Sequence, residues 1–338
     1  MRITRDILLK AARTAVTQRT MYNHHVICIY LTGSLLMEEP LLGGTTDIDL
    51  FFIHDSDQPV QREVEKITDE IHLDIAHLSQ AVFHQPRSLR ADPWIGPFLC
   101  QNPVVLHDQQ HWFEFTQASV CSQFNQPENA LLRARPMADE ARNLWMSLHL
   151  GGATNEVERV SMYLKALERA GNTIATLTGS PLTERRFFLL LPERAQMLGR
   201  PGLAAGLADL ISGDPVSDET WKTWFANWNA TLKSIQGGPA VPAPLQPCRL
   251  SYYTHAADAL FSHVPAAAIW LLLRTWTKSL SSSTTPAALP PEFEDVLRTL
   301  GLDEAHFDDR LANLDAYLDQ LEESIEVWSR ENGVTGEQ

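Results

Sequence analysis

The sequence predicts an α+β protein, a small mixed-sheet domain followed by an all-α helical region. Two observations lead there. In the first third of the chain, apolar β-branched runs alternate with helix-patterned stretches. Beyond about residue 127 the strand signals stop, and amphipathic helical patterns separated by Gly and Pro take over. A length of 338 residues accommodates two or three domains with sizeable cores. Hydrophobic content of 44% and charged content of 20% are ordinary for a globular chain.

The first twenty residues, MRITRDILLKAARTAVTQRT, are basic. Ile3, Ile7, Leu8, Ala11, Ala12 and Val16 nevertheless share one helical face, which predicts a packed helix over 3–19 in preference to a transit peptide. VICIYLTG (26–33) reads as a buried strand. SLLMEEP reads as a short helical stretch, and a Gly-Gly-Thr-Thr turn then feeds DIDLFFIH, a second strand. Residues 59–70 are expected to form a polar surface helix, and IHLDIAHLS (71–79) a third strand.

The predicted domains are 1–126, 127–236 and 248–338. The last two are separated by the proline-rich GGPAVPAPLQP (237–247). AAAIWLLLRTW (266–276) is apolar nearly all round and so predicts a core helix, followed by the linker SSSTTPAALPP. In the last helix Leu311, Leu314, Leu318, Leu321, Ile325 and Trp328 recur at three and four positions, a heptad seam. Packing within the chain is the simpler expectation for that seam, and a homodimer contact the alternative.

Charge is unevenly spread. Residues 292–338 hold fourteen acidic and three basic side chains, a balance of −11 out of the total −15, which leaves −4 for the other 291 residues. This argues against a general nucleic-acid-binding surface, which needs clustered Lys and Arg. No apolar run approaches a membrane span. Cys28, Cys100, Cys121 and Cys248 show no C-x-x-C pair. Cys28 and Cys121 sit in apolar surroundings that suit free thiols, so a reducing, cytoplasmic location without a zinc site is expected.

Asp47 and Asp49, two apart on a strand, project from one face while Ile48 and Leu50 project from the other. Twelve residues separate Asp47 from the Gly33-Ser34 pair, where a strand ends and a helical stretch begins. Backbone N–H groups and a hydroxyl there could meet a phosphate, and glycine lets the chain pass close to it. Carboxylates beside a phosphate need a cation between them, and Mg²⁺ suits that role. Two such ions can stabilise both the attacking and the leaving oxygen of an in-line displacement. Asp74, mid-strand in IHLDIAHL, would be a costly buried carboxylate unless it joins them. Taken singly, each residue also has a plain reading: a turn with an N-cap at Gly33 and Ser34, a strand-capping Asp47, an arginine partner for Asp74. Glu38 and Glu39 read as a solvated helix end, and His72, on the Asp74 face, as a structural histidine.

The pattern G-S, twelve residues, D-I-D-L and a later strand aspartate resembles the signature of the DNA polymerase β-type nucleotidyltransferase superfamily. The layout is similar to its minimal and antibiotic-modifying members. The resemblance covers about residues 20–80 and implies metal binding by Asp47, Asp49 and Asp74, with Asp74 as metal ligand or general base. It also implies that Gly33 and Ser34 hold a nucleoside triphosphate. ATP is the expected nucleotide, and AMP would move to an acceptor hydroxyl with release of pyrophosphate. Arg133, Arg135 and Lys165 are candidate phosphate contacts, and the acceptor is a small cationic molecule, a tRNA or a protein. The alternatives are a regulatory or toxin–antitoxin protein and a non-catalytic nucleotide binder. The former draws on Arg142 and His149 in RNLWMSLH, a loose match to the R-x(4–6)-H motif of HEPN ribonucleases. With six residues intervening, those two side chains are expected nearly opposite on a helix.

Overall fold

Five strands make one sheet in the computed structural model, which describes residues 3–21, 23–58, 60–109, 111–213, 215–237, 241–282 and 289–334. The chain divides into two units, Met1–Asn129 and Ala130–Gln338.

In the first unit α1 (Arg5–Thr20) is capped by Thr4, whose hydroxyl accepts from the Ile7 amide. It leads to β1 (Val26–Thr32), β2 (Thr46–His54), β3 (Arg62–Lys66), β4 (Ile71–Ser79) and β5 (Val104–Asp108). The sheet order is β3-β4-β2-β1-β5; β2 and β4 run parallel and every other pair is antiparallel. Short helices α2 (Pro86–Ala91), α3 (Ile95–Cys100) and α4 (Trp112–Cys121) complete the unit.

The period of two in the strands separates two cores. Ile48, Leu50 and Phe52 of β2 join Ile29 and Leu31 of β1 and pack against Leu8, Ala12 and Val16 of α1. On the opposite face Cys28, Tyr30 and Ile53 pack with Leu89, Leu99, Phe113 and Val120 of the short helices. Each large apolar side chain fully withdrawn from water there is worth about 1.5–3 kcal/mol. The strand is therefore core on both faces, and the carboxylates occupy only the first part of one of them. Thr32 pairs with Asp49, and Tyr30 with Phe51, whose rings stack at 5.0 Å.

Three local expectations are corrected. The segment expected as a surface helix contains β3, an edge strand pairing antiparallel with β4. Its polarity is that of an edge whose two faces both meet charge: Glu63 and Glu65 ion-pair with Arg19 of α1, and Arg62 points to the other face. The stretch after Gly33-Ser34 is one 3₁₀ turn, Gly33–Leu36, too short to build a helix dipole. Cys121 is not a free thiol. It is disulfide-bonded to Cys100, joining the ends of α3 and α4, while Cys28 and Cys248 are thiols outside that bond. Two cysteines in local apolar patches do not reveal in sequence that those patches face each other.

The second unit is helical throughout its described residues: the greater part of α5 (Pro127–His149), then α6 (Glu156–Thr178), α7 (Phe187–Met197), α8 (Gly202–Ser212), α9 (Asp218–Ser234), α10 (Leu250–Phe261), α11 (Pro265–Ser281), α12 (Pro291–Thr299) and α13 (Phe307–Glu331). α11 is buried nearly all round and packs on α6, α8, α9 and α10, so helices from both sides of the proline-rich connector share one core. Leu311, Leu314, Leu318, Leu321 and Ile325 of the seam in α13 are buried, and the helix lies on α8 and α6. The linker after α11 lies largely outside the described residues. No described helix is long and apolar enough to cross a membrane.

Candidate active site

The parallel register of β2 and β4 sets Asp47 opposite His72 and Asp49 opposite Asp74. Side chains opposite one another in a sheet share a face, so the three aspartates converge. One carboxylate oxygen from each lies within 4.8 Å of the others. Asp47 and Asp74 are only 6% and 5% exposed, so two of the three carboxylates are taken almost wholly out of water. Buried carboxylates this close need a cation among them.

One cation is provided by the chain. Arg62 of β3 grips Asp74 in two parallel hydrogen bonds, Nε donating to Oδ1 and Nη2 to Oδ2, each at 2.7 Å. Arg62 was hidden from sequence reasoning by the helix expected over 59–70. On the edge strand Arg62, Val64 and Lys66 take the Asp74 face and Glu63 and Glu65 the other, a division that the sequence of REVEK alone does not mark as a strand.

Gly33 ends β1 at φ +77°. A Cβ there would lie 1.8 Å from Asp49 Oδ2, so the missing side chain is what lets the carboxylate into the cluster. Ser34 follows, its Oγ 3.2 Å from Thr46 Oγ1, and Thr46 donates to the Pro40 carbonyl at 3.0 Å. These bonds tie the Gly33–Leu36 turn to the start of β2, one residue before Asp47. Glu38 and Glu39 are exposed, as expected of solvated side chains, and His72 is fully buried beside the cluster.

The donor set is all carboxylate oxygen, the chemistry that Mg²⁺ and related hard divalent cations prefer. The three aspartates therefore fit a divalent cation, and the space cleared by Gly33 keeps Asp49 available to it.

The expected phosphate contacts in the second unit are engaged elsewhere. Arg135 pairs with Glu326 at 2.8 Å, and Lys165 shares Glu140 with Arg169. Arg133 is buried, and burial pulls its guanidinium down to about 10. Arg142 is held by Asp315, Asp319 and Glu322 of α13 at 2.5, 2.6 and 2.8 Å. Arg142 and His149 are not opposite one another. Seven positions make two helical turns, so both lie on the face of Trp145, which carries the Arg142 guanidinium over its ring and stacks on His149. An arginine clamped by three carboxylates is poorly placed to stabilise a phosphate.

A different cluster lies on the α1 face at the far end of β2. His54 Nε2 and His77 Nδ1 are 2.9 Å apart, and His77 Nε2 is 3.1 Å from Glu63 Oε1. Burial lowers both imidazoles, reinforced at His54 by the proximity of His77, while Glu63 opposes the shift at His77.

No family model matches the chain, and no curated protein does. Among the solved structures that match is one described as a nucleotidyltransferase-like protein from Exiguobacterium sibiricum, at 11% identity and a TM-score of 0.34. The match covers 92% of this chain and 90% of that one. At that score, the geometry of the aspartate cluster remains the basis for any functional reading.

Proposed function

We propose that the chain is a divalent-cation-dependent nucleotidyltransferase that moves a nucleoside monophosphate, AMP from ATP, to an acceptor hydroxyl. The observation that carries this is the convergence of Asp47, Asp49 and Asp74 with glycine facing Asp49. The signature resemblance of residues 20–80 supports it.

Asp47, Asp49 and Asp74 would hold Mg²⁺, one ion or two, which supplies charge neutralisation for the triphosphate and the departing pyrophosphate. The Gly33-Ser34 turn offers its backbone N–H groups and hydroxyl to the β/γ end. Asp74 takes the acceptor's proton as the acceptor oxygen bonds to the α-phosphorus and the bond from that phosphorus to the bridging β-phosphate oxygen breaks. Rate enhancement on this plan comes from positioning and fixed charge. The acceptor is sought among cationic small molecules, tRNA and proteins.

Incubation with Mg²⁺, labelled triphosphates and acceptor panels should give labelled acceptor and pyrophosphate. In the Asp47→Asn/Asp49→Asn double variant both should fall by at least about a thousandfold with the fold unchanged. Undiminished transfer by the double variant would sink the assignment. Nucleotide binding without pyrophosphate release would favour the non-catalytic binder.

A further inference from the structure

Asp74 gives both of its carboxylate oxygens to one guanidinium. It also belongs to the group of three whose oxygens converge within 4.8 Å. A divalent cation needs those lone pairs directed at itself, at about 2.0–2.1 Å for Mg²⁺. A guanidinium bound in the carboxylate plane directs them elsewhere and adds like charge next to the cation's position.

The pair is built asymmetrically. Asp74 is buried in the middle of β4, which has neighbours on both sides, whereas Arg62 stands on the edge strand with 54% of its side chain exposed. The arginine can therefore withdraw into water on its flexible stem, and the carboxylate cannot move.

We propose that Arg62 is a metal-displaced latch. It neutralises Asp74 when no cation is bound, and loading of the site expels it. This rests on the metal-site reading above and names the group that competes with the metal.

The test is Mn²⁺ binding to the full chain, by titration calorimetry or by loss of the free-ion paramagnetic signal, for wild type, Arg62→Ala and Arg62→Lys. Removing the competitor should tighten binding about two- to fivefold in Arg62→Ala, the weight of an ion pair with one half-exposed partner. Arg62→Lys, which keeps charge without the two-pronged grip, should fall between that variant and wild type. Mn²⁺ should also raise the melting temperature of Arg62→Ala more than that of wild type. Unchanged or weaker Mn²⁺ binding in both variants overturns the latch and leaves the metal site standing. No Mn²⁺ binding by any of the three proteins removes the metal site, and the latch with it. If Arg62→Ala does not fold without metal, Arg62→Lys decides.

Discussion

Asp49 Oδ2 lies 1.8 Å from the place a Cβ on Gly33 would occupy. The backbone at Gly33 also sits at φ +77°, where a side chain is strained whatever the space. Gly33→Ala should therefore cost about 1–3 kcal/mol in urea unfolding and push Asp49 out of the cluster, weakening Mn²⁺ binding. In an Asp49→Ala background the collision is gone and only the backbone strain remains, so the same substitution should cost less. Equal costs in the two backgrounds would show that the contact is not what glycine relieves.

The imidazoles of His54 and His77 share a hydrogen bond at 2.9 Å, and one of the two facing nitrogens must be unprotonated for it to form. Around them stand Glu63, Arg19, Asp55 and His25, and among these Glu63 and Asp55 favour the charged forms while Arg19 and His25 oppose them. Both folded pKa values lie below the ordinary 6.5, chiefly because burial disfavours the charged ring. The unfolded chain then binds more protons near that pH. The stabilising contribution is complete above 6.5 and is lost as the pH falls through the lowered folded values. Urea midpoints should drop between about pH 8 and about pH 5, and His77→Gln should flatten that slope. An unchanged slope in the variant would remove the pair as its source.

Arg142 fastens α5 to α13 through three carboxylates, whose hydrogen bonds raise its pKa despite the opposing effect of burial. Its side chain is only 20% exposed, so solvent screens these pairs incompletely. Arg142→Met should destabilise the protein by about 1–3 kcal/mol, with the difference shrinking in high salt. In the proposed transfer His149 has no role, so His149→Ala should leave any pyrophosphate release intact. RNA cleavage that disappears with His149→Ala would restore the ribonuclease reading.

Thiol titration of the denatured, unreduced protein should find two thiols, Cys28 and Cys248, and four after reduction. Closing a loop across 21 residues is worth about 3 kcal/mol, so reduction should lower the unfolding midpoint accordingly. Four thiols before reduction would contradict the Cys100–Cys121 pairing.

Much of the site was legible because short-range rules govern it. The period of two puts Asp47 and Asp49 on one face whatever the strand pairs with, and the apolar runs around them mark β1, β2 and β4 unaided. β3 was not legible. REVEK is equally at home on a solvated helix, and only pairing with β4, together with Arg19 waiting on α1, makes its alternation a strand pattern. Arg, Glu and Lys locally favour helix over strand, so the tertiary partner overrides the local preference here. The Cys100–Cys121 bond escaped for the same reason, since nothing local reports that α3 and α4 meet end to end.

The sequence by itself determined that three aspartates and a glycine occupy strand and turn positions from which a common site is possible, because backbone periodicity is a local property. The tertiary structure alone decided that β2 and β4 lie side by side in a register that sets Asp49 against Asp74. It also decided that an edge-strand arginine pairs with one of the three carboxylates, Asp74. Both depend on which strands pair, a choice made by the burial of two apolar faces at once, and no single segment carries that information.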